Sequence, residues 1–190
     1  GLNVPEAKCE RFSKNGSTFL VKRFDRTPEN KRIHIISAMT ALGKIDGNNA
    51  QDGTSYLDIV QCIQQQGSKP KEDLLELWKR IVFNIAVTNT DDHLRNHGFL
   101  FDQKGLRLSP MYDVNPNPDG VGLSLNIDDM DNSLSFDVAI EAAKFFDIKK
   151  DEAVKIADAI KQNVKQWKAV AEKFGISRSD MLRVENCFRF

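Results

Sequence analysis

Cysteine is scarce. The chain holds only Cys9, Cys62 and Cys187, too scattered to form a C-x-x-C pair. That excludes a disulfide scaffold and a thiolate zinc site and points to a reducing, cytoplasmic setting. Excess charge is lacking too: 27 basic side chains balance 27 acidic ones. Nothing therefore favours a long nucleic-acid footprint or an anionic membrane surface. No apolar run reaches the roughly 18–20 residues that span a bilayer, and no signal-peptide pattern opens the chain. Solenoid repeats and low-complexity tracts are missing as well. What remains is a globular composition of 190 residues, 41% hydrophobic, enough for one domain or one lobe with a small appendage.

The opening stretch reads as β. Cys9 to Phe12 and Thr18 to Phe24 flank an Asn15-Gly16 turn signal, and their mixed faces suit an edge or surface position. Beyond Asp25 the pattern turns largely helical. Ser37 caps a short helix that Gly43 ends, and Ser55 with Asp58 forms a capping box for a helix stopped at Gly67. Pro70 starts the longest candidate, running to about Thr88 and apolar nearly all round, which predicts a central position. His97 to Phe101 and Leu106 to Ser109 predict a second hairpin. Ser135 caps a helix to Phe146, and one amphipathic helix carries Val154 through Phe174. The expected class is α+β and mainly helical.

Chemistry concentrates in Asn89-Thr90-Asp91-Asp92-His93-Leu94-Arg95-Asn96, between the central helix and the second hairpin. So dense a polar run is costly to bury and predicts a cleft. After the hairpin comes Met111-Tyr112-Asp113-Val114, expected to set another carboxylate at the end of a strand. Asp91, Asn96 five positions on, a hairpin and then Asp113 is the layout of phosphoryl-transfer sites in protein kinases. One carboxylate orients the attacking hydroxyl; a second carboxylate and an amide oxygen hold Mg²⁺. His93 and Arg95 are suited to phosphate oxygens.

With Leu108-Ser109-Pro110 leading into Met111, with Gly1-Leu2-Asn3-Val4-Pro5-Glu6, and with Val21-Lys22-Arg23-Phe24-Asp25-Arg26, these segments resemble the HipA family. Its members are bacterial serine/threonine kinases of toxin–antitoxin modules. The resemblance implies a protein-kinase-like fold, with residues 1–26 as the end of an N-lobe plus hinge and 27–190 as the helical C-lobe. It implies ATP and Mg²⁺ as cofactors. Asp91 matches the catalytic aspartate, and His93, Leu94, Arg95 and Asn96 match the ATP-contacting loop. Asn96 and Asp113 match the metal ligands, Tyr112 and Asp113 the following nucleotide site, and Lys22, Arg23 and Phe24 the hinge whose backbone reads adenine. It further implies a protein substrate such as glutamyl-tRNA synthetase and a HipB-like helix-turn-helix antitoxin as partner, with no direct nucleic-acid or membrane contact.

Asp92 departs from the small residue usual at its position, which leaves two adjacent candidates for the base; the spacing to Asn96 favours Asp91. No G-x-G-x-x-G or G-x-x-x-x-G-K-[ST] is present. The chain is therefore expected to be the C-terminal portion of a longer kinase, truncated or completed by another chain, and nearly inactive alone. Two other readings stay open: a non-catalytic kinase-like lobe that binds partners, and a metallohydrolase using His93 and His97 with nearby aspartates. His34, the acidic run Asp128, Asp129 and Asp131, and the pair Trp78 and Trp167 are read as structural.

Overall fold

The structure, a computed structural model, describes residues 1–13 and 16–190. It opens with an antiparallel hairpin, β1 (Ala7–Ser13) and β2 (Gly16–Val21). Lys14 and Asn15, which carry half of the expected turn signal, lie outside the described residues. Phe12, Phe19 and Val21 stay exposed, as the mixed faces predicted. The second strand ends at Val21, so Lys22, Arg23 and Phe24 are not part of it. Before the hairpin, the opening strip crosses the molecule: Asn3 N–H donates to Glu76 Oε1 (2.9 Å) and Met111 N–H to the Asn3 carbonyl (2.8 Å).

A three-residue strand, β3 (Ile35–Ser37), precedes the short helix α1 (Ala38–Ala41), capped by Ser37. Helix α2 (Tyr56–Gln66) starts with the expected reciprocal cap: Ser55 Oγ accepts from Leu57 N–H (3.2 Å) and Asp58 Oδ2 from Ser55 N–H (3.0 Å). Removing this cap with Ser55→Ala is expected to cost about 1 kcal/mol, read as a lower denaturant midpoint at unchanged slope.

Helix α3 (Pro70–Val87) is the axis of the core, with Leu77, Trp78, Ile81, Val82 and Ile85 fully buried. Trp78 Nε1 donates to the Ala139 carbonyl (2.8 Å). Strands β4 (Gly98–Asp102) and β5 (Gly105–Leu108) form the second hairpin, and β3 pairs with β4 to make three strands. Gly105 (φ +147°) lies so close to the end of α2 that a Cβ would sit 2.4 Å from the Gln66 carbonyl oxygen. Sequence reading missed β3, because three residues hold too little alternation to signal a strand.

Residues 109–135 form no regular element, yet Leu123, Leu125 and Ile127 are buried in the core. Helix α4 (Phe136–Ala142) follows its Ser135 cap and tightens into a 3-10 turn through Phe146. The single long helix expected through Phe174 is in fact two, α5 (Lys150–Val164) and α6 (Trp167–Lys173). At the break Gln166 N–H bonds the Asn163 carbonyl, an i−3 contact that tightens the turn and ends α5. The redirected chain stacks Trp167 on Phe188, centroids 4.0 Å apart and rings 6° from parallel. Helix α7 (Arg178–Val184) completes the fold. The chain is thus mixed α and β with small sheets, as expected, with α3 at its centre.

Candidate active site

The run from Asn89 to Asn96 begins where α3 ends. Thr88 leaves the helix in a left-handed conformation (φ 53°), and Asn89 Nδ2 donates to Asn84 Oδ1 (3.0 Å). The two adjacent aspartates then separate. Asp92 is buried, and its Oδ2 accepts from Tyr56 Oη (2.7 Å), Asn84 Nδ2 (2.6 Å) and His97 Nε2 (3.0 Å). Burial opposes its charge, but attraction to His97 and the bonds from His97 and Tyr56 outweigh burial, and the carboxyl lies below its ordinary pKa. Burial first, then the Asp92 charge, pushes the Tyr56 hydroxyl well up.

Asp91 is exposed and its carboxylate accepts no hydrogen bond among the described residues. Its backbone carbonyl accepts from Asn96 Nδ2 (3.0 Å), and Asn96 N–H bonds the His93 carbonyl (2.8 Å). Asn96 is thus clasped to Asp91 by its amide nitrogen, while its Oδ1 takes no donor among the described residues. Leu94 is buried in the core, so any ligand contact from it runs through its backbone. Arg95 pairs with Asp46 through one guanidinium nitrogen and donates through another to His93 Nε2 (3.0 Å). That bond leaves the imidazole proton on His93 Nδ1, which is buried with no partner among the described residues.

Tyr112, the chain neighbour of Asp113, is tied to the same run. Tyr112 Oη donates to the Arg95 carbonyl (2.7 Å), and its ring stacks on Phe24 with centroids 5.7 Å apart. Burial raises the Tyr112 pKa. Asp113 is exposed and left-handed (φ 57°), and its Oδ1 accepts from Asn115 Nδ2 (3.0 Å). It sits five residues beyond the last residue of β5 rather than at a strand end, because Pro110 carries no N–H for the ladder.

The hinge candidates divide. Phe24 reaches Tyr112, whereas the side chains of Lys22 and Arg23 turn to Glu6 (3.0 Å) and Asp25 (2.5 Å). Lys22 N–H is bonded to the Glu6 carbonyl (2.8 Å), but the backbones of Arg23 and Phe24 make no hydrogen bonds with described residues. Sequence reading missed the partners of Asp92. Asn84, a lone polar residue in the apolar last turns of α3 (residues 81–87), was the available signal.

Asn96 Oδ1 and the Asp113 carboxylate are hard oxygen donors of the kind Mg²⁺ takes alongside water. The two histidines do not converge on a metal: His93 Nε2 is engaged by Arg95 and His97 Nε2 by Asp92. Among the described residues no group of three or more His, Cys, Asp or Glu is placed to hold an ion. The acidic run is a tight turn, in which Asp128 Oδ1 accepts from Met130 and Asp131 N–H (both 2.9 Å). His34 is exposed and rests against the Phe101 ring.

Facing Asp91 is the loop 45–54, organised by Asp52. Its carboxylate takes Asn48 Nδ2 (2.8 Å), Asn49 N–H (3.1 Å) and Thr54 Oγ1 (2.5 Å). Hydrogen bonds from the Thr54 hydroxyl first, then Asn48, hold its pKa at about 2. A carboxylate depressed below its ordinary value of about 3.9 stabilises the fold above that pH and loses this as the pH falls through the folded pKa. The Asn49 and Thr54 amide resonances are therefore expected to titrate with a midpoint near 2, followed by NMR; a midpoint near 4 would contradict the assignment.

A family model described as the HipA-like C-terminal domain matches residues 1–168. A candidate kinase of Sinorhizobium fredii, Y4mE, is 32% identical over 121 residues, covering 60% of this chain and 28% of that protein. A candidate kinase of Haemophilus influenzae is 29% identical over 133 residues, covering 63% of this chain and 38% of that protein. The chain thus spans between 28% and 38% of the length of these relatives. Among solved structures, a chain of the Shewanella oneidensis MR-1 toxin–antitoxin complex of HipA, HipB and operator DNA matches with a TM-score of 0.77 at 20% identity. The match covers 98% of this chain and 49% of that one. The Helicobacter pylori proinflammatory kinase CtkA matches with a TM-score of 0.52 at 14% identity, over 85% of this chain and 77% of that one. Both share the fold. With its family model spanning most of its length, the chain belongs to the HipA-like C-terminal domain family.

Proposed function

We propose that this chain is the C-terminal lobe of a HipA-like serine/threonine kinase that moves the γ-phosphoryl group of ATP to a protein hydroxyl. The observation that carries the reading is the clasp of Asn96 on the Asp91 carbonyl, with Tyr112, the chain neighbour of Asp113, bonded to the same run. Asp91, exposed and unspent, orients the acceptor and takes its proton as the new oxygen–phosphorus bond forms and the bond to ADP breaks. Asn96 Oδ1 and Asp113 would hold Mg²⁺, which would supply charge neutralisation at the phosphates. His93 and Arg95 steady phosphate oxygens. The free backbone of Arg23 and Phe24 suits an adenine edge, with the Phe24–Tyr112 stack as its floor.

In this reading residues 1–26 are the end of the N-lobe and the hinge, and 27–190 the C-lobe. The protein would act in the cytoplasm as the toxin of a toxin–antitoxin module, with a HipB-like helix-turn-helix protein as partner. Glutamyl-tRNA synthetase is the acceptor that family resemblance suggests. A titration of Mg-ATP into the chain tests the core of this. Wild type is expected to give Mg²⁺-dependent heat, and Asp113→Ala to bind at least roughly tenfold more weakly through loss of a metal ligand. Matching heats would overturn the metal assignment and favour a partner-binding lobe.

A further inference from the structure

A cavity of about 190 Å³ opens beside Asp91, between the loop of Ile45 to Asn49 and the strip of Asp91 to Arg95, with Ser124 in its wall. We propose that this cavity is the acceptor subsite, receiving one hydroxyl-bearing side chain of a polypeptide and presenting it to Asp91. The proposal rests on the kinase reading above and deepens it.

Volume decides the class of ligand. Sites for whole small molecules run to roughly 300–1,000 Å³, so this space is too small for a nucleotide and ample for one side chain. Position agrees. His93 and Arg95, assigned to phosphate, share its wall, whereas Asn96, Tyr112 and Asp113 do not line it, so the cavity reaches Asp91 from the phosphate side and away from the metal and adenine groups. In-line transfer needs the acceptor next to the phosphorus and opposite the leaving oxygen, which a space bounded by both Asp91 and the phosphate groups allows.

The far wall is built to keep its shape. Besides the Asp52 contacts, Ile45 N–H bonds Asn48 Oδ1 (2.9 Å) and Ala50 N–H bonds the Ser124 carbonyl (2.8 Å). Ser124 Oγ in turn donates to the Thr90 carbonyl (2.8 Å), next to Asp91, which fixes the wall relative to the carboxylate. Two side chains at the loop tip stand outside this scaffold. Ile45 is 73% exposed, and Asp46 meets only Arg95 among the described residues. An exposed isoleucine is ordinary alone. On the rim of a cavity that holds Asp91, it offers an apolar rest for the residues flanking the acceptor.

The test uses the isotope-labelled 190-residue chain and a mixture of short peptides with Ser or Thr at the centre and degenerate flanks. A matched mixture has Ala at the centre. The amides of Gly47, Asn48 and Ser124 are expected to shift with the hydroxyl peptides and several-fold more weakly with the Ala mixture. Ile45→Glu, at an exposed position, is expected to weaken peptide binding about fivefold or more, with the rest of its spectrum unchanged. Equal response to both mixtures, no movement of those amides, or an unaffected Ile45→Glu variant would each overturn the proposal. Mg-ATP is titrated separately, reading Asn96, Tyr112 and Asp113. A nucleotide response without a peptide response overturns the subsite and leaves the kinase reading. A peptide response without a nucleotide response places a hydroxyl-peptide site at the cavity but overturns its role as a phosphoryl-acceptor subsite, together with the kinase reading.

Discussion

Asp92→Ala is expected to lower the unfolding free energy by about 3–5 kcal/mol, the range for stripping a buried carboxylate from its partners. Three donors converge on Asp92 Oδ2, from Tyr56 on α2, Asn84 on α3 and His97 just before β4. Alanine leaves all three without an acceptor in a space that water does not reach. His97 is already short of a partner at Nδ1, so the variant would leave that ring with no bond at either nitrogen. For a chain of this length the loss corresponds to a fall in melting temperature of roughly 6–20 °C, measured by calorimetry or circular dichroism. The effect carries a pH signature. Because the folded carboxyl lies below its ordinary pKa, its contribution is present above the unfolded value near 3.9 and lost as pH falls through the folded value. The gap between wild type and variant should therefore begin to narrow below about pH 4 and close further as pH falls through the lower folded value. A melting temperature unchanged at pH 7 would sink the buried-network account.

Asp91→Ala is expected to do the reverse. The side chain is exposed and bonded to nothing among the described residues, so the stability change should stay within about 0.5 kcal/mol. Phosphoryl transfer, in whatever length of polypeptide shows it, should fall by about 10²–10⁴, the worth of a positioned general base. Binding of Mg-ATP should persist, since Asn96 and Asp113 remain. The pair of variants separates the two neighbouring aspartates, one acting in folding and one in chemistry. Retained transfer in Asp91→Ala would return the base assignment to an open question.

The parts of this fold that a sequence reveals are those set by neighbours along the chain. The capping box at Ser55 and Asp58, the proline that opens α3, and the Ser37 and Ser135 caps are all local devices, and each starts its helix where expected. The hairpin between the two polar motifs was legible for the same reason. What escaped was decided through space. Strand β3 exists because β4 is there to pair with it. Leu123, Leu125 and Ile127 alternate with Ser124 and Asn126 as a strand would, yet the stretch is held by isolated bridges such as Ser55 with Asn126 and forms no strand. The periodicity of 154–174 continues across the break between α5 and α6, so spacing alone gave no warning of it. In the candidate site, spacing indicated Asp91, Asn96 and Asp113 as a set. It could not show that Asp92 is fastened to Tyr56, 36 positions earlier, nor that the loop carrying Asp46 faces Asp91.

The two tryptophans lie in unlike surroundings, one sealed in the core against Ala139 and the other laid flat on Phe188 near the end of the chain. Intrinsic fluorescence consequently carries two reporters in one emission band. Loosening of the terminal helices would alter the Trp167 contribution while Trp78 still emits from an apolar interior. Spectral change that runs ahead of the loss of circular dichroism would thus mark fraying of the final 25 or so residues, a segment of few buried side chains, before the centre gives way.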